Sequence, residues 1–204
     1  MEKTFEVVAK AQNRAIMRSL PNLLSFFRIA SIPFVVVCLF SPTPLASFLA
    51  ALIFSIASLT DVLDGYIARQ QKVESAIGKL LDPMADKLLI NSALIMLIPL
   101  GRVPAWMVVL IVGREIAVTG LRGIATLQRL VIPASNWGKA KTVFQTFALI
   151  GLMLHYEYFG INFHYLGMLL LWVALIITLW SGWDYFFKFY RGHQKKGDST
   201  KTTG

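Results

Sequence analysis

Charge is scarce in this chain, and negative charge scarcest: Asp, Glu, Lys and Arg make up 15% of 204 residues, and only 11 of those residues are acidic. A soluble chain of this size needs more charge than that to cover its surface. Cysteine is rarer still. Cys38 stands alone, which excludes an intrachain disulfide and a thiolate metal site. The three histidines, His155, His164 and His193, lie far along the chain from most of the acids, which argues against a zinc hydrolase. Met1–Ser19 lacks the apolar core of about 7–15 residues that a secretory signal requires. No repeat of fixed period is visible.

What the chain has in abundance is apolar sequence, at 56% hydrophobic residues. Several windows of about 20 apolar residues are long enough to cross a hydrocarbon layer of ~30 Å as helices. The expected fold is an all-α integral membrane protein with six transmembrane helices, near 22–40, 45–67, 80–100, 106–125, 142–158 and 165–187. The segment 1–20 reads as an interfacial amphipathic helix or a disordered leader, 21–190 as one six-helix membrane domain, and 191–204 as a disordered tail.

Loop charges orient the spans. Lys and Arg gather in the amino-terminal segment, in the second and fourth loops, and in the carboxyl tail. SPTP at 41–44 and HYEYFGINFH at 155–164 have none, and the third loop has only Arg102. Positive charge marks the cytoplasmic face, so both termini are expected there. The net charge of +9 suits anionic lipid headgroups. The basic residues flank spans and form no separate basic domain, so nucleic acid is not an expected partner.

Against this background the acids stand out. Asp61 and Asp64 are i, i+3 near the cytoplasmic end of span two, and Asp82 and Asp86 are i, i+4 near the start of span three. Each pair therefore shares a helix face. Carboxylates in an apolar span cost about 2.5–3.5 kcal/mol apiece on insertion scales and are rare without a task. Brought together they repel, and hard divalent cations with oxygen ligands relieve that repulsion. Two metals about 3.5–4 Å apart would match this ligand count and clamp a phosphoryl displacement. A proton relay or cation site in a transporter uses the same residue types. The acids alone leave both readings open.

Gly65 follows Asp64, and Gly78 lies four residues before Asp82. Either they are packing residues at helix contacts, or they let a flat ligand approach the backbone. Arg69, one turn beyond Gly65, is either a phosphate ligand or a topology signal. Asn22, Ser25 and Arg28 form a loose i, i+3, i+6 stripe on span one. Arg114 and Glu115 sit deep in span four. They either lock helix packing by pairing with neighbouring helices or serve a ligand. Arg122, Lys139 and Lys141 lie toward the cytoplasmic side; either they are ordinary positive-inside residues, or their excess of cations serves an anionic acceptor such as a phosphate.

The pattern Asp61-x2-Asp64-Gly65-x2-Ala68-Arg69-x8-Gly78-x3-Asp82-x3-Asp86 resembles the signature of the CDP-alcohol phosphotransferases without a departure. The resemblance covers the chain except its two ends. It implies a membrane enzyme that displaces CMP from a CDP-linked lipid with an alcohol, using two Mg²⁺ or Mn²⁺ ions. Asp61, Asp64, Asp82 and Asp86 would then hold the metals, with Asp86 also the general base. Gly65, Ala68, Arg69 and Gly78, joined by Asn22 and Ser25, would bind the CDP-lipid.

PNLL-x3-R, REI-x5-LR and GK-x-KT further resemble the branch that makes phosphatidylglycerophosphate. This branch implies CDP-diacylglycerol as donor and sn-glycerol 3-phosphate as acceptor, with Arg28, Arg114, Arg122, Lys139 and Lys141 on the acceptor phosphate. Ser25 stands where that branch has Thr, and the hydroxyl survives. Another acceptor, such as inositol phosphate, serine or phosphatidylglycerol, is the alternative. The resemblance also implies a homodimer in a bacterial inner membrane, multi-pass, with its active site facing the cytoplasm.

Overall fold

Apolar runs of about span length fold here into long helices. A computed structural model gives the backbone of residues 24–41, 43–71, 76–128, 136–158 and 160–201, and the side chains of these except 61–71, 76–83, 136, 139, 192 and 194–201. Among the described residues there are six helices: α1 (Leu24–Phe40), α2 (Pro44–Gln71), α3 (Ala76–Leu97), α4 (Ala105–Leu127), α5 (Asn136–Leu154) and α6 (Phe163–Lys201). A short antiparallel hairpin of β1 (Glu157–Tyr158) and β2 (Ile161–Asn162) joins α5 to α6. The class is all-α apart from this hairpin. The expected segment 1–20 lies outside the described residues.

The chain divides into two units, Met1–Leu97 and Ile98–Gly204. In the first, α2 and α3 touch. The core is built from Val35 and Leu39 of α1, Ala50, Phe54 and Ala57 of α2, and Ala85, Leu89, Ala93 and Leu97 of α3. The spacing of four along α3 gives it one continuous buried stripe.

The second unit is organised around α6. Trp106 and Trp172 rings lie 5.5 Å apart, Arg114 bonds Ser181, and Gln128 bonds His193, so α4 runs parallel to α6. The hairpin returns the chain antiparallel, so α5 packs along α6. Their closest approach needs two glycines: a Cβ on Gly151 would lie 2.9 Å from Gly167 Cα, and one on Gly167 only 2.7 Å from Leu152 N. Without side chains at these positions the two backbones touch, which maximises dispersion contact.

Several element ends differ from the sequence expectation, among them the start of α5, at Asn136 rather than 142. The fifth span was expected to run to Tyr158, but α5 stops at Leu154, because His155 takes the left-handed backbone (φ 55) and the hairpin follows. Arg102 satisfies the carbonyls left free there, donating from Nη1 to Met153 O at 2.7 Å. The tail beyond residue 190 was expected to be disordered, but helix α6 continues to Lys201. No proline interrupts it, Arg191 lies over the Phe187 ring, and His193 meets Gln128. Span three ends at Leu97 rather than Leu100, since residues 98–101 form a turn closed by Gly101 N–H to Ile98 O.

Among the described residues, Phe163–Arg191 is long and apolar enough to cross a membrane, by length and composition; Leu24–Phe40, Pro44–Thr60 and Ala140–Leu154 are shorter apolar helices. Large apolar side chains cover the outside of these helices. All five tryptophans are exposed, from 45% at Trp172 to 68% at Trp183. Several hydroxyls fold back on their own helix instead of facing outward. Ser31 donates to Phe27 O, Ser55 to Ala51 O and Thr119 to Glu115 O, each at 2.7 Å.

Candidate active site

The expected site residues divide between the two units. In the first, the backbone is helical through Asp61 and Asp64 in α2 and through Asp82 and Asp86 in α3. The i, i+3 and i, i+4 pairs therefore each occupy one face of a continuous helix, as the spacing implies. The side chains of Asp61, Asp64, Gly65, Ala68, Arg69, Gly78 and Asp82 lie outside the described residues. Asp86 is half-buried, directly after the wholly buried Ala85. Four carboxylates in this arrangement are a hard-oxygen donor set, which fits a divalent cation of the magnesium or manganese type.

On α1, Ser25 and Arg28 are both fully buried at 0% exposure, one turn apart on one face. Asn22 falls outside the described residues. A guanidinium so deeply placed has been drawn in by the protein and is not a surface topology charge.

The second unit holds a polar seam among α4, α5 and α6. One carboxylate oxygen, Glu115 Oε1, accepts from Arg114 Nη1 at 3.2 Å and from Lys141 Nζ. Arg114 Nη2 donates to Ser181 Oγ at 2.7 Å, and Ser181 Oγ in turn donates to Thr178 O at 3.1 Å. Gly182 makes room for the arginine, since a Cβ there would lie 3.0 Å from Arg114 Cγ. Lys141, Gln145, Thr178 and Ser181 are all buried. Arg114 Nε, Gln145 Nε2 and Thr178 Oγ1 are buried with no hydrogen-bond partner among the described residues. Two cations share one carboxylate oxygen here.

Arg122 is exposed and lies 5.8 Å from the centre of the Tyr185 ring, apart from this network. The backbone of Lys139 lies in the first turn of α5, and its side chain is outside the described residues. Sequence reasoning identified Arg114, Glu115 and Lys141 but not the shared carboxylate. It also missed Ser181 and Thr178. Their signal is two hydroxyls at i, i+3, followed by Gly182, in an otherwise apolar stretch of α6.

A family model described as CDP-alcohol phosphatidyltransferase matches residues 18–180. The chain belongs to the CDP-alcohol phosphatidyltransferase family. That span contains every motif aspartate and reaches to within one residue of the polar seam's last hydroxyl, Ser181. Among similar members, a Bacillus subtilis (strain 168) protein is 41% identical over 184 residues, covering 84% of this chain and 95% of the relative. A Rickettsia bellii protein is 42% identical over 174 residues, with the same coverage. One from Haemophilus influenzae is 37% identical over 170 residues, covering 80% of this chain and 89% of the relative. All three are named CDP-diacylglycerol–glycerol-3-phosphate 3-phosphatidyltransferase.

Proposed function

We propose that this transferase moves the phosphatidyl group of CDP-diacylglycerol to sn-glycerol 3-phosphate, giving phosphatidylglycerophosphate and CMP. Its family membership and the names of relatives matched along nearly their whole length support the reaction. The observation that carries the acceptor is the buried Arg114–Glu115–Lys141 cluster, whose paired cations, with donors left unmet among the described residues, suit an anion.

Asp61, Asp64, Asp82 and Asp86 hold two divalent cations, Mg²⁺ or Mn²⁺. When bound, these neutralise charge at the pyrophosphate. Asp86 accepts the proton of the acceptor's C1 hydroxyl. The hydroxyl oxygen bonds to the phosphorus that bears diacylglycerol, and the bond from that phosphorus to the CMP oxygen breaks, CMP leaving with the electron pair. Gly65, Ala68, Arg69, Gly78, Asn22 and Ser25 bind the CDP-lipid. Arg28, Arg114, Arg122, Lys139 and Lys141 serve the acceptor phosphate.

The same reading places the protein in a bacterial cytoplasmic membrane with six spans, both termini and the active site on the cytoplasmic side. Its support is the sheath of exposed tryptophan, phenylalanine and leucine, the inward-folded hydroxyls, and the loop charges. Two copies form the working enzyme, as the family resemblance implies.

An acceptor panel tests the assignment. Purified protein receives CDP-diacylglycerol, Mg²⁺ or Mn²⁺, and radiolabelled glycerol 3-phosphate, inositol phosphate or serine. Label is expected in lipid with glycerol 3-phosphate. A lipid product with inositol phosphate and none with glycerol 3-phosphate would overturn the substrate assignment.

A further inference from the structure

The ion-paired seam contains one residue for which the reaction has no direct use. Glu115 is an anion placed among the groups proposed to receive another anion, and on charge alone it should weaken that site. Its geometry gives it a different role. A single oxygen of Glu115 is bonded to both Arg114 Nη1 and Lys141 Nζ, bridging α4 and α5 across 26 residues of sequence. All three side chains are largely shielded, at 13% exposure for Arg114, 12% for Glu115 and 7% for Lys141. Two cationic side chains held this close repel each other, and a carboxylate between them offsets that repulsion.

Glu115 removes that repulsion, and Ser181 fixes the other guanidinium nitrogen, so Arg114 is held at two points. What remains unmatched is donor capacity. Among the described residues, Arg114 Nε and Gln145 Nε2 are buried N–H donors without acceptors, and Gln145 lies one turn along α5 from Lys141. Buried donors held rigidly beside two cationic side chains favour a ligand rich in acceptor oxygens, of which a phosphate is the simplest.

We infer that Glu115 is a positioning residue: it does not touch the substrate, and it fixes Arg114 and Lys141 so that the acceptor phosphate meets a preset cation pair. This deepens the functional reading above and rests on it. It also separates two physical effects of opposite sign. Glu115→Gln removes a negative charge, so a purely electrostatic role predicts tighter phosphate binding. A positioning role predicts weaker binding despite the gain in positive charge.

The experiment compares wild type, Glu115→Gln and Glu115→Asp, purified in lipid nanodiscs. In steady-state assays, Glu115→Gln is expected to raise KM for glycerol 3-phosphate about tenfold or more, with KM for CDP-diacylglycerol little changed. Glu115→Asp, which keeps the charge, is expected to recover part of the loss. Should Glu115→Gln fail to fold, the Asp variant, whose carboxylate is one methylene short of the bridge, must show the same selective rise in smaller degree. Unchanged or lowered KM for glycerol 3-phosphate in the folded variants would overturn the inference. So would a parallel rise in KM for both substrates accompanied by a lowered Tm.

Calorimetric binding of glycerol 3-phosphate and of inorganic phosphate, without CDP-lipid, keeps this question apart from the reaction. Absence of wild-type turnover with glycerol 3-phosphate would remove the substrate assignment. Equal phosphate affinity in wild type and Glu115→Gln would remove the role of Glu115.

Discussion

Gly151 of α5 and Gly167 of α6 meet backbone to backbone, leaving no room for a methyl group on either. The nearest obstacles to a Cβ on Gly167 are Leu152 N at 2.7 Å and Gly151 C at 2.9 Å. Backbone cannot step aside as a flexible side chain can. Gly167→Ala should therefore cost about 1–3 kcal/mol by overpacking, read as a lowered Tm in detergent or nanodiscs. Gly138→Ala, on the same helix pair but with open space at its Cβ, is the control and should leave Tm nearly unchanged. Equal Tm values for the two variants would contradict the close approach.

The connection between those helices contains a pH-sensitive point. His155 Nδ1 and His164 Nδ1 lie 3.2 Å apart, an N–H···N pair that requires at least one neutral ring. Burial, then the positive charge of Arg102, then His164 push the His155 imidazole below its ordinary value. As pH falls, the unfolded chain therefore takes up its proton first. Stability contributed here is intact above about pH 6.5 and declines as pH drops below it. Asn tolerates the left-handed backbone at this position, so His155→Asn isolates the titration. Wild-type Tm should fall more than that of the variant between about pH 7.5 and 5.5. Parallel pH profiles would show that His155 does not titrate in this way.

Removing a motif carboxylate should stop turnover without unfolding the protein. Asp82→Ala and Asp86→Ala are each expected to reduce kcat at least about 100-fold, with extraction and Tm close to wild type. A folded Asp86→Ala enzyme with substantial activity would remove both its proton-accepting role and the two-metal scheme.

Much of the helical frame was legible in the sequence because apolar runs of span length leave the chain few alternatives to a helix. The helical placement of Asp61 with Asp64, and of Asp82 with Asp86, followed from spacing alone. Element ends were less legible. His155 to Tyr158 is aromatic enough to extend an apolar run, and nothing local announces the positive φ at His155. Lys, Gln and Arg after residue 190 have no apolar periodicity and read as a solvated tail. Contacts with Phe187 and Gln128 favour the helix.

The site shows the same limit. Adjacent residues on a helix point apart, so Arg114 and Glu115 were recognisable as a pair in need of partners. Those partners, Lys141 on α5 and Ser181 on α6, are set by how three helices pack. No periodicity within one segment contains that information.

The most direct measurement is the stoichiometry of the reaction itself. Purified protein in nanodiscs containing CDP-diacylglycerol would be given Mg²⁺ and radiolabelled sn-glycerol 3-phosphate, with CMP and labelled lipid counted together. One CMP is expected for each labelled phosphatidylglycerophosphate formed, and neither once divalent cations are chelated. CMP release without labelled lipid, or cation flux across liposomes with no CMP release, would contradict that expectation.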